Sequence, residues 1–334
     1  MLRLSPFHMK IPNTLDEAIR LLEKGGARIL AGGTDLVPNL KHRIYGDVPR
    51  LVSLQRIATL KHIELREHEL VFGSGVTLAQ IALSEQVRQC HPALALAAAN
   101  VASPQIRNMA TLGGNLCLDT RCTYINQTEF WRGALGGCLK ADGDVCHVVP
   151  GGRNCVAALS GDTTIALMAL EATVDIAGPS GTRTIALPEL YNANGASHLN
   201  VQQGEILTAV HIPRLVGRRL SYRKWSVRQS IDFPLVNVAI RVDEKPDGEI
   251  EDVLAVVGVI AARPKVVTKL ADLCRGQKLS AALAEEIAVM VHKQCKPLPN
   301  VPYDHLYRRD MLRVQAKRAV LNLLPGQEMQ VREK

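Results

Sequence analysis

VASPQIRNMATLGGNLC, residues 101–117, is the stretch on which the reading of this chain turns. It closes an alanine-rich run, 92–102, that reads as a buried helix. Ser103-Pro104 stops that helix, because a proline disfavours helical backbone in the residue before it. Thr111-Leu112-Gly113-Gly114-Asn115 then forms a glycine loop. Without β-carbons the backbone approaches a ligand closely and takes positive φ, and successive N–H groups can cradle phosphate oxygens.

A second loop of this kind lies upstream. ILAGGTDL, 29–36, runs directly out of the short apolar strand Arg28-Ile29-Leu30. Thr34 and Thr111 add hydroxyls and Asn115 an amide. A dinucleotide pyrophosphate needs two such contacts, although either loop taken alone reads more readily as a turn. The pair does not select a cofactor. Gly73-Ser74-Gly75 lacks the third glycine of a dinucleotide fingerprint, which argues against a Rossmann nicotinamide site.

Downstream, Cys122, Cys138, Cys146 and Cys155 fall in one polar, glycine-rich segment with the spacing C-x15-C-x7-C-x8-C. Cys117 lies just before it; Cys90, Cys274 and Cys295 are scattered. Such a segment buries little apolar surface of its own. A metal centre on four thiolates would order it and would point to electron transfer. Buried core thiols, disulfides and zinc are the competing readings. Disulfides fit poorly with a chain lacking an export signal, and the C-x2-4-C pair usual in structural zinc sites is missing. The spacing is wider than that of familiar ferredoxins. His147, beside Cys146, reads as a loop residue or a hydrogen-bond donor behind the ligands.

The rest of the pattern mixes helices and strands. Thr14 and Glu17 make a capping box ahead of an apolar helical face, ended by Gly25-Gly26. Strands are expected at 50–54, 70–72 and 172–177, and helices after Thr77 and over 163–170. From about Ser221 two antiparallel strands, 235–242 and 250–259, precede helices over 280–294 and 304–324. A chain of 334 residues suits two or three domains. No apolar run approaches the ~20 residues a membrane helix needs, and the N-terminus has no signal-peptide core, so a cytoplasmic protein with no membrane span is expected. The net charge is +8, with basic residues gathered at Arg214, Arg218, Arg219, Arg223, Lys224 and Arg228. No nucleic-acid-binding motif accompanies them. They suggest a solvated or subunit-contacting face, an acidic protein partner or an anionic cofactor.

These motifs together resemble the FAD-binding subunit of molybdenum hydroxylases, the xanthine dehydrogenase and carbon monoxide dehydrogenase family. The resemblance covers nearly the whole chain. It implies an α+β architecture: a FAD-binding domain, 1–217, of two α/β subdomains split near 58 and like those of vanillyl-alcohol oxidase, then a smaller α+β domain, 218–334. It assigns Ile29, Leu30, Ala31, Gly32, Gly33, Thr34, Asp35 and Leu36 to one FAD loop and Thr111, Gly114 and Asn115 to the other. Asp162 would contact the ribityl chain, Leu187 would lie near the isoalloxazine, and Lys224 near the flavin ring. Taken alone, Asp162 reads as a helix N-cap and Lys224 as a surface charge.

The segment 121–160 departs from ordinary members. It is similar to the insertion of the 4-hydroxybenzoyl-CoA reductase branch, which implies a [4Fe–4S] cluster on Cys122, Cys138, Cys146 and Cys155. That resemblance implies an electron path from ferredoxin through the cluster and FAD to [2Fe–2S] centres on a small subunit and the molybdenum cofactor on a large one, in a dimer of heterotrimers. No catalytic residue for the substrate is expected here. The alternatives are an ordinary xanthine-, CO- or aldehyde-type FAD subunit passing electrons outward, and a non-catalytic assembly protein.

Overall fold

The computed structural model describes residues 3–228, 231–324 and 326. The chain begins with a small parallel sheet of β1 (His8–Lys10), β2 (Ala27–Leu30) and β3 (Arg50–Ser53), in the order β1-β3-β2. The helix Leu15–Glu23 crosses between β1 and β2 and buries Ala18, Ile19 and Leu22. Its capping box is half made. Thr14 Oγ1 accepts from the Glu17 N–H, but the Glu17 carboxylate reaches back to the Asn13 N–H. The box at Thr77 is complete, with Gln80 answering Thr77 in both directions.

A five-stranded antiparallel sheet follows, built from β4 (Ile63–Leu65), β5 (Glu69–Gly73), β6 (Thr173–Gly178), β7 (Gly181–Ala186) and β8 (Ile206–Pro213), in the order β4-β5-β8-β6-β7. The third sheet, also antiparallel, carries β9 (Arg218–Trp225), β10 (Val236–Glu244), β11 (Ile250–Gly258) and β12 (Lys265–Val267), in the order β12-β11-β10-β9.

Helix Asp162–Ala169 joins the last two sheets. All eight of its residues are buried, as expected of a helix that is apolar on every side. It packs on helix Pro92–Ala99 and on β9, β10 and β11. The opposite face of that third sheet, with Val236, Val238, Ile240 and Val242, packs on helices Ala281–Gln294 and His305–Leu321. β10 is therefore covered on both sides, and every residue from Val236 to Val242 is buried, Asn237 and Arg241 included.

Two expectations need correction. Ser103-Pro104 stops one helix and also starts another, because Ser103 Oγ accepts from the Ile106 N–H and caps Pro104–Arg107. The basic run is not a free charged face. Arg218 pairs with Asp243 and Glu171, Arg219 with Glu244, Arg228 with Asp232 and Lys224 with Asp162. The pairs with Asp243 and Glu244 form because β9 is bonded to β10, whose end supplies both carboxylates.

Candidate functional site: a glycine-lined cavity beside a cysteine insertion

The loop after β2 meets the loop that opens helix Leu112–Leu116. The contact is closest at Gly32, where a β-carbon would stand 1.8 Å from the Met109 carbonyl oxygen. Gly33 takes φ +73°, a left-handed conformation that costs a residue with a side chain. The second Gly-Gly pair does not follow a strand. It forms the first turn of a helix, with Thr111 Oγ1 accepting from the Gly114 N–H at 3.1 Å. Gly113 is held by its N–H bond to Ser74 O at 2.8 Å, so the turn after β5 completes the cradle.

These loops wall a cavity of about 840 Å³, within the range of cofactor clefts. Ile29, Ala31, Gly32, Gly33, Thr34, Asp35, Leu36, Thr111, Gly114, Asn115 and Asp162 all line it. Leu30 lies beneath the loop, its carbonyl bonded to the Leu54 N–H. Leu187 is in the main core, fully buried, with its N–H on Ala172 O. Lys224 does not form wall but reaches Asp162, with Nζ 3.0 Å from Oδ2. The Asp162 side chain caps nothing; Gly161 is the N-cap residue. Instead its carboxylate accepts from Tyr222 Oη at 2.5 Å and from Lys224, and burial with the neighbouring carboxylate pushes the Tyr222 hydroxyl well above its ordinary pKa. Asn115 Oδ1 is taken by Thr163 Oγ1 at 2.6 Å, so Asn115 fastens the second loop to the buried helix.

Tyr222 is the residue that sequence reasoning passed over. It shares a face of β9 with Leu220 and Lys224, and that period of two is the signal that could have placed it beside Lys224. At the first loop, burial raises the Asp35 carboxyl while Arg121, 3.6 Å away, pulls it down. Ser160 also lines the cavity, and its buried hydroxyl has no protein partner, an open polar contact for a ligand.

The cysteine segment leaves this wall directly, since Asp119 and Arg121 line the cavity and Cys122 follows. Cys122, Cys138 and Cys155 are buried, Cys146 half-buried, and all eight cysteines are free. Cys122 and Cys155 share a satellite core with Ile44, Ile125, Ala141 and Ala157. Burial pushes the Cys122 thiol up, and the nearby Cys138 and Cys146 push it further. Cys155 is raised by burial and by Cys122 and Cys138, against the pull of Lys140. The N–H groups of Ile125 and Ala157 point at the sulfurs of Cys122 and Cys155, both at 3.4 Å. His147 Nε2 lies 2.7 Å from Gly137 O, and its ring stacks on Tyr124. The segment is better packed than its composition suggested. Arg132, buried, donates to the carbonyls of Gln127, His42 and Arg43, and Thr123 N–H bonds Asn300 O.

Two family models divide the chain. The FAD binding domain in molybdopterin dehydrogenase matches residues 5–215, and the CO dehydrogenase flavoprotein C-terminal domain matches 221–323. The chain is a FAD-binding subunit of the molybdenum hydroxylase family. This flavoprotein subunit is 35% identical over 234 residues to the aldehyde oxidoreductase FAD-binding subunit PaoB of Escherichia coli (strain K12), covering 67% of this chain and 72% of that protein. It is 25% identical over 311 residues to the glyceraldehyde dehydrogenase medium chain of Sulfolobus acidocaldarius, covering 92% and 94%. In fold it matches a chain of the crystal structure of the cyanide-inactivated Cu,Mo-CO dehydrogenase, with a TM-score of 0.76 at 23% identity, over 96% of this chain and 98% of that one. The flavoprotein subunit has no helix, among the described residues, long and apolar enough to cross a membrane.

Proposed function

We propose that this chain is the electron-transfer subunit of a molybdenum hydroxylase complex, with FAD in the glycine-lined cavity and a [4Fe–4S] cluster on Cys122, Cys138, Cys146 and Cys155. The observation that carries the reading is that the cavity wall and the cysteine segment are continuous, Arg121 lining one and Cys122 opening the other.

The residues present fit both groups. The Gly32–Gly33 loop offers backbone N–H groups for a pyrophosphate; at the second loop, where the Gly113 and Gly114 N–H groups are already bonded, the Thr111 hydroxyl hydrogen and the open Ser160 hydroxyl remain. Asp162, held by Tyr222 and Lys224, fixes a polar contact at the start of the buried helix. Cys122 and Cys155 each feel the charge of two of the other three cysteines, and both already receive N–H bonds, which tune iron–sulfur potentials. Among the described residues no group of three or more His, Cys, Asp or Glu is placed to hold a metal ion, and the cluster reading rests on the four thiols gathered in one segment. Bound FAD would exchange two-electron for one-electron chemistry. The chain's own residues bind it, orient it and keep it beside the cysteines.

Substrate chemistry would lie on a large molybdenum subunit reached through a small [2Fe–2S] subunit. The 35% likeness to an aldehyde oxidoreductase subunit supports an outward path, with an aldehyde oxidised on the partner. The inward path, from ferredoxin to reductive dehydroxylation of 4-hydroxybenzoyl-CoA, rests on the cysteine insertion, which serves electron flow in either direction.

Iron and acid-labile sulfide per flavin on the anaerobically purified complex test the cofactor reading. About four irons in this subunit per FAD are expected; flavin without iron would leave a FAD subunit with a structural insertion. Flavin bleaching by an aromatic or aliphatic aldehyde would establish the outward path. Bleaching only by reduced ferredoxin, with reoxidation by 4-hydroxybenzoyl-CoA, would overturn it in favour of the reductase.

A further inference from the structure

Between the cysteine segment and the flavin cavity sits a buried cation. The Lys140 side chain is 4% exposed. Its Nζ donates to Asp119 Oδ1 at 2.7 Å, Thr120 Oγ1 at 2.8 Å and Gly195 O at 2.6 Å. Three acceptors saturate the three ammonium hydrogens.

Its surroundings tie it to three of the four cysteines. Thr120 precedes Cys122 by two residues, and Lys140 itself follows Cys138 by two. Gly195, whose carbonyl it binds, donates its N–H to Cys155 O at 2.8 Å, while Asn194 Oδ1 accepts the Cys155 N–H at 3.3 Å. On its far side, Asp119 lines the cavity and accepts the Tyr45 hydroxyl at 2.7 Å. Asn39 Nδ2 links Tyr45 to Asp35 of the first glycine loop.

We infer that Lys140 sets the reduction potential of the centre held by the four cysteines, with Asp119 as its counter-charge on the flavin side. The inference rests on the cysteine reading proposed above. One-electron reduction of a centre held there would form and break no bond and would make it more negative by one charge. A fixed ammonium in a poorly screened site stabilises that extra charge. Net charge, hydrogen bonding and exposure are the levers that set such potentials, and Lys140 supplies the first without opening the site to water. A purely structural staple would hold the loops equally well with a neutral donor.

The test is an EPR-monitored redox titration of the purified complex carrying Lys140→Gln, Lys140→Arg or Asp119→Asn, each checked first for iron content. Lys140→Gln is expected to keep its iron and to lower the centre's potential by at least tenfold in the one-electron equilibrium, about 59 mV. Lys140→Arg should restore it, and Asp119→Asn, which leaves the cation unneutralised, should shift it upward. An unchanged potential in an iron-loaded Lys140→Gln overturns the inference and leaves the cysteine reading standing. Should Lys140→Gln lose its iron, Asp119→Asn decides: a raised potential supports the inference and an unmoved one overturns it. Absence of iron from the wild-type subunit would overturn the cysteine reading itself, and this inference with it.

Discussion

Lys224 Nζ lies 3.0 Å from Asp162 Oδ2, with both side chains under 10% exposed. The pair spans the join between the two domains matched by the family models, because Asp162 opens the buried helix and Lys224 belongs to β9. Removing one member of a buried pair leaves the other charge uncompensated, at about 3–5 kcal/mol. Asp162→Ala takes the carboxylate from both the Lys224 ammonium, which keeps only its bond to the Asn100 carbonyl, and the Tyr222 hydroxyl. Lys224→Met leaves Asp162 with the Tyr222 bond. Urea unfolding should therefore show the larger loss for Asp162→Ala. Flavin retention should fall in the same variant, since Asp162 also lines the cavity. Equal midpoints for the two variants would contradict this ranking.

The two glycine loops are separated by less than a methyl group at Gly32. Gly32→Ala would place its β-carbon 1.8 Å from a backbone oxygen, and neither loop yields without moving the cradle. Flavin content should drop several-fold with the iron content unaffected. Gly114→Ala meets only Thr111 Oγ1, at 3.0 Å, and should be milder. Gly33→Ala carries the left-handed φ and about 1–2 kcal/mol of strain. Flavin per chain after gel filtration orders the three; a Gly32→Ala protein with full flavin would show that the loops move apart freely.

What was legible in the sequence was local. The glycine loops, the capping residues and the apolar periods of β10 and β11 announce themselves because near neighbours in the chain decide them. The pairing of Asp162 with Tyr222 and Lys224 joins residues about sixty positions apart, and no local pattern marks it. Buried arginines mislead for the same reason. Arg308, on the helix expected over 304–324, is fully buried and donates to the carbonyls of Leu235, Leu298 and Val259. Burial brings its pKa down to about 10. Composition likewise understated the cysteine segment, because its order comes from Arg132 and Lys140 binding carbonyls elsewhere in the chain.

Acid should weaken this fold through His91. The residue is 9% exposed, its Nε2 has no partner, and burial, with Arg214 and Arg218 nearby, brings its pKa from 6.5 to about 4. The unfolded chain then binds a proton that the folded chain refuses between those values. Stability is full above pH 6.5 and declines as pH falls towards 4, by roughly 3 kcal/mol. His91→Gln should flatten that limb of the stability curve by one proton. Unfolding free energies measured from pH 7 to pH 4 check it, and an unchanged slope in the variant would remove His91 as the cause.

Arg132 and Cys138 separate what holds the insertion together from what the insertion holds. Arg132 donates to the backbone carbonyls of Gln127, His42 and Arg43, and hydrogen bonds from a charged donor contribute about 1.5–3 kcal/mol each. Arg132→Ala should raise hydrogen exchange across 122–150 and expose it to protease, with flavin retained. Cys138→Ser should remove the iron, also with flavin retained, yet leave the exchange rates near wild type because the Arg132 bonds remain. If Cys138→Ser instead loosened the segment as much as Arg132→Ala does, the bound centre rather than the arginine would be what orders it.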